Sequence, residues 1–127
     1  MFSHVSVGTG DLGRAIAFYD AVLAPLGIAR EAKSEGGAGW RRDGEAGMFW
    51  VGVPFDGSAA SSGNGWMAAF SAPSRAAVDA AYRAAIEAGG RDEGPPGMRP
   101  QYAADYYGAY VRDLDGNKIH FVRRGAA

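Results

Sequence analysis

The chain has 127 residues, of which 47% are hydrophobic, so it holds one domain with a real core and is not compositionally disordered. A formal net charge of −1, with no Lys/Arg run longer than the pairs Arg41–Arg42 and Arg123–Arg124, argues against a nucleic-acid partner. Absence of cysteine excludes disulfides and thiolate chemistry, and no apolar stretch approaches the ~20 residues that span a bilayer. Met1-Phe2-Ser3-His4 has no basic start or long apolar run, so a cytoplasmic location is expected.

From Phe2 to Gly8 the residues alternate, with Val5 and Val7 on one side and His4, Ser6 and Gly8 on the other, as in a half-buried strand. Asp11 is placed to cap a helix whose apolar stripe is Leu12, Ile16, Tyr19, Leu23 and Leu26. Pro25 weakens its last turn, and Gly27 supplies the left-handed residue after it. Short strands are expected near Ile28–Ala32 and Gly39–Arg42, with a clear one over Met48–Val53. In the last, Phe49, Val51 and Val53 oppose Met48, Trp50 and Gly52.

Residues 55–63 are rich in Gly, Ser and Ala and read as a linker between units at approximately 1–54 and 64–124. A second copy follows. Trp66, Ala68 and Phe70 share one strand face, with Met67, Ala69 and Ser71 opposite; Ser74 caps a helix with the stripe Val78, Tyr82 and Ile86; Gly89-Gly90 ends it. A shift of 63 residues, set by His4 on Met67, also places Asp11 on Ser74, Tyr19 on Tyr82 and Gly27 on Gly90. An ill-defined stretch over Arg91–Asp105 precedes strands at Tyr106–Arg112 and Asn117–Val122, joined by the turn Asp113-Leu114-Asp115-Gly116.

The fold class is therefore α+β, a single domain of two paired βαβββ units, with the helices on one side of a cupped mixed sheet. The helix side takes Val5, Val7, Phe49, Val51, Ala68, Phe70, Ile119 and Phe121. The open side takes both histidines, His4 and His120, with Trp50, Met67 and Tyr110. Large apolar groups on that second face call for a partner, which is a small molecule, the other half of a closed cup, or another subunit. Arg99 and Tyr102, in the loop before the seventh strand, are lid candidates. A metal-free proton transfer by either histidine would need an oriented partner that the sequence does not supply.

Paired βαβββ units, the run His4-Val5-Ser6-Val7, the helix with Ala17-Phe18-Tyr19-Asp20, and Tyr106 to Arg112 followed by Asp113-Leu114-Asp115-Gly116 together resemble the vicinal oxygen chelate superfamily. That group includes glyoxalase I, extradiol dioxygenases, fosfomycin-resistance enzymes and bleomycin-binding proteins, and the chain is most similar to its short glyoxalase-like bacterial members. The resemblance implies a homodimer and a concave face whose divalent metal (Zn, Ni, Mn or Fe) is held from the first, fourth, fifth and eighth strands. Carried onto this sequence, those positions are His4, Trp50, Met67 and His120. Indole cannot coordinate and a thioether is a soft ligand, so only His4 and His120 suit such an ion, and a third ligand is missing unless Asp105 or a partner's carboxylate supplies it. The expectation is a small-molecule pocket of His4, Trp50, Met67, Tyr110 and His120 with an incomplete metal set. The alternative is a metal-dependent lyase, isomerase or dioxygenase acting on vicinal oxygens.

Overall fold

The computed structural model describes residues 1–127. Its elements are β1 (His4–Gly8), α1 (Leu12–Leu23), a 3₁₀ turn (Ala24–Leu26), β2 (Ile28–Lys33), β3 (Gly37–Arg42) and β4 (Met48–Gly52). After the linker come β5 (Ala68–Ser71), α2 (Arg75–Glu87), β6 (Arg91–Met98), β7 (Tyr106–Arg112) and β8 (Lys118–Arg124). Each βαβββ unit keeps its own four-stranded sheet, in the orders β1-β4-β3-β2 and β5-β8-β7-β6. The first and fourth strands of each unit pair in parallel and the remaining pairs are antiparallel.

The helix boundaries follow local chemistry. Asp11 and Ser74 are both extended and accept the N–H groups of Arg14 and Ala77, which satisfies donors the first helical turn leaves over. Gly27 at φ 75° and Gly89 at φ 100° take the left-handed backbone that stops each helix. The stripe of α1 is as spaced in the sequence: Ile16, Tyr19 and Leu23 are buried, joined by Ala15, Phe18 and Val22. The stripe of α2 is rotated from its expected position. Its buried residues are Ala77, Val78, Ala81 and Ala85, while Ile86 is 38% exposed. Small alanines let α2 lie close to its neighbours, so the packed side is set by shape and not by the largest side chains.

The helix-facing residues of both sheets enter one core of 24 buried residues. The rings of Phe49 and Phe70 meet at 4.9 Å between centroids, joining β4 of the first unit to β5 of the second. Polar contacts reinforce this joint around the β7–β8 hairpin. Thr9 Oγ1 donates to Asp115 at 2.6 Å, the Gly10 N–H donates to the same carboxylate, and Asn117 Nδ2 donates to the Gly8 carbonyl. Asp113, itself buried, accepts from the Tyr19 hydroxyl, from the side chain and N–H of Asn117, and from the N–H of Asp115. Burial and the adjacent Asp113 carboxylate push the Tyr19 phenol well above its ordinary range, so it stays a donor.

With the helix-facing sides sharing one core, the opposite face of each sheet is left without a cover from its own helix. The alternation expected for the open side is present: Phe49 and Val51 are buried, while Met48 and Trp50 between them are only half-buried.

Candidate functional site

Two clusters of side chains occupy the uncovered sheet faces. On the first sheet the indole of Trp50 lies flat across β3. A Cβ built on Gly37 would come 2.6 Å from Trp50 Nε1, and one on Gly39 would come 2.5 Å from Trp50 Cε3. Both positions must be glycine for the ring to lie down. Exposed His4, with Ser3 Oγ 3.0 Å from its Nδ1, lines a cleft of about 490 Å³ with Ser6, Met48 and Trp50.

On the second sheet three rings form a column. His120 stacks on Tyr110 at 3.9 Å and 7°, and on Tyr106 at 5.7 Å and 14°. Gly108 opposite His120 has the role of Gly39 opposite Trp50, since a Cβ there would lie 2.5 Å from His120 Cε1. His120 is fully buried. Its Nδ1 is 2.8 Å from the Ala109 carbonyl, which can only accept, so Nδ1 carries the proton. Its Nε2 then accepts from the Tyr106 hydroxyl at 2.7 Å. Burial lowers its pKa, and Arg99, Lys118 and Arg124 push it the same way, although the Ala109 bond opposes them, so the ring is neutral at pH 7. Burial, followed by its neighbour Tyr102, raises Tyr110 to about 12.

Met67 lies just before β5, 37% exposed, and lines a separate cleft of about 470 Å³ with Trp66, Arg112 and Lys118. Trp66 was expected to share the buried face of Ala68 and Phe70; it precedes the strand and is 42% exposed, because β5 begins only at Ala68. The structure thus brings His4 to Trp50 and Tyr110 to His120. None of the main clefts is lined by open-face strand residues of both sheets.

The donor set does not fit a divalent metal. His4 and His120 belong to different sheets, and the one lone pair His120 could offer is taken by the Tyr106 hydroxyl. No three His, Cys, Asp or Glu side chains gather where an ion could sit, and a divalent catalytic site ordinarily has at least three protein ligands. Tyr106 belongs to this site and was not among its sequence-derived residues. Its place on the open face was legible from the alternation of β7, but its hydrogen bond to a histidine 14 positions away was not. The lid candidates do converge here: the Tyr102 and Tyr106 rings are 5.1 Å apart, and the Arg99 guanidinium lies 5.7 Å from the centre of the Tyr110 ring.

Two βαβββ units sharing a core, with uncovered aromatic sheet faces and this hairpin between β7 and β8, define a glyoxalase-type fold. The chain belongs to the Glyoxalase/Bleomycin resistance protein/Dioxygenase superfamily, whose model matches residues 1–121. It is 41% identical to a glyoxalase/bleomycin resistance protein of Albidiferax ferrireducens, covering 98% of this chain and 99% of that one with a TM-score of 0.89. A glyoxalase-related enzyme of Fulvimarina pelagi shares the fold at 17% identity and a TM-score of 0.76, covering 98% and 88% of the two chains. So does a lactoylglutathione lyase of Agrobacterium tumefaciens, at 19% identity and a TM-score of 0.68, covering 97% and 92%. Among curated proteins, none matches the sequence. No helix is long and apolar enough to cross a membrane.

Proposed function

We propose that this protein binds a small organic molecule on the sheet faces that its helices leave open, through Trp50 and His4 on the first and Tyr110 on the second, where buried His120 backs the Tyr110 ring, with Met67 at the margin. The observation that carries this reading is the build of the faces. Glycines at 37, 39 and 108 hold an indole and an imidazole flat against the strands, and no helix of the chain covers them. Flat aromatic surface with a few fixed polar groups is what a small-molecule site requires. The metal-dependent lyase, isomerase or dioxygenase reading lacks the ligands to hold its ion, and binding without metal chemistry agrees better with the engaged nitrogens of His120.

The active form in this proposal is a homodimer, in which a second copy brings an open face opposite each exposed one. Phe2, Phe55 and Trp66 are exposed by 42% or more and provide apolar surface for such a contact.

A thermal-shift screen of small metabolites, followed by fluorescence titration of the compounds that stabilise the protein, tests the site. Trp50→Ala is expected to weaken a genuine ligand about tenfold or more, the loss of one well-packed aromatic contact. A ligand that binds Trp50→Ala and Tyr110→Ala as tightly as the unaltered protein would place binding elsewhere and overturn the proposal.

A further inference from the structure

The aromatic column is capped at both ends by cations. The Arg124 guanidinium carbon is 4.8 Å from the centre of the Tyr106 ring, and at the other end Lys118 Nζ is 5.2 Å and the Arg99 guanidinium carbon 5.7 Å from the centre of Tyr110. None of the three has a carboxylate partner. The ion pairs of the chain use Arg14, Arg30, Arg41, Arg42 and Arg112. Arg112 holds Glu93, on which Lys118 also acts through space, and Arg99 donates only to the carbonyls of Met98 and Pro95. Three cations with no carboxylate in direct contact thus surround one neutral imidazole in a chain whose net charge is −1. A cation over a ring at an exposed site gains less than a cation in hydrogen-bonding contact with a carboxylate. The first sheet's cleft, by contrast, is lined by Ser3, His4, Ser6, Ala46, Met48 and Trp50, with no fixed charge.

Resting on the binding reading above, we infer that the second sheet selects the ligand by charge, and that the ligand is a small organic carboxylate. Its anionic group sits among Arg99, Lys118 and Tyr110. Its organic body lies toward Tyr102, whose ring is 59% exposed and faces Tyr106 at 5.1 Å. A lone inorganic anion would leave that ring and the exposed Met98 unused. The neutral state of His120 matters here, because it leaves the carboxylate to the cations and keeps the Tyr106 hydroxyl turned inward to Nε2.

The test is titration of the full chain with benzoate and phenylacetate, with their neutral amides, and with inorganic phosphate, read by proton–nitrogen NMR shifts of the His120 ring and of residues 99–110. The acids are expected to bind at least about tenfold more tightly than the amides, as a charge-assisted contact requires, and to weaken as ionic strength rises. Lys118→Gln, which loses no hydrogen bond within the chain, and Arg99→Gln should each reduce acid affinity several-fold and amide affinity by a smaller factor, narrowing the gap between them. Equal binding of acid and amide at the column overturns the charge inference while leaving the pocket standing. Phosphate binding as tightly as the acids overturns the organic part. Absence of any shift at the column with any probe overturns the inference, and if Trp50 is equally silent toward every stabilising compound the binding proposal fails with it.

Discussion

His120 illustrates how much a single side chain's role depends on its two nitrogens. One donates to a carbonyl and the other accepts from Tyr106, so a residue that the sequence resemblance offered as a metal ligand is here the middle of a stacked column. The lowered pKa fixes a sign for pH dependence. The unfolded chain protonates this histidine near its ordinary value of 6.5 and the folded chain only at lower pH. Between those two values the unfolded state holds more protons, so stability falls as pH drops through that window. Urea unfolding at several pH values is expected to show that acid-side loss, and His120→Phe, which cannot titrate, should flatten it. Gly39 permits a second residue-scale prediction. A methyl group there would strike Trp50 and Met48, so Gly39→Ala should lift the indole, shift tryptophan emission, and cost about 1–3 kcal/mol by overpacking.

At the scale of elements, the hairpin between β7 and β8 acts as a clasp between units. Four donors converge on the buried Asp113 carboxylate, and Asp115 holds the start of α1 through Thr9 and Gly10. Asp113→Ala would leave the Tyr19 hydroxyl and the Asn117 side chain without that acceptor, and a loss of about 2–4 kcal/mol of unfolding free energy is expected, read as a lower urea midpoint at unchanged slope. The Asp-Leu-Asp-Gly turn was legible as a turn because Asp and Gly suit its backbone. Its second task was not, because Tyr19 lies 94 residues away in sequence. The helices show a similar division. Both caps and both terminating glycines were readable; of the α2 stripe Val78 is buried and Tyr82 packs against the core, whereas Ile86 lies outward and Ala77, Ala81 and Ala85 take the packed side, since periodicity favours large residues.

For the molecule as a whole, the shared core decides where the open faces point. Helix-facing residues of both sheets merge through Phe49, Phe70 and Phe121, and the two aromatic clusters are left on separate sheets, only the Trp50 one lining a cleft. A homodimer that unites such faces should sediment at twice the mass of one chain, and Phe55→Asp and Trp66→Asp together should shift it toward the monomer. A monomer at all accessible concentrations would contradict the dimer part of the proposal.

The sequence by itself determined the two βαβββ units, their caps and turns, and which residues of β1, β4, β5 and β8 face the helices, because those features depend on local backbone preference and a period of two or 3.6 residues. The family resemblance read from it also implied that the usual metal-ligand positions carry Trp50 and Met67. Only the tertiary structure decided that each unit keeps its own sheet, that His120 is held at both nitrogens, and that three cations gather around it unpaired. Those depend on contacts between residues far apart in sequence, which no local pattern encodes.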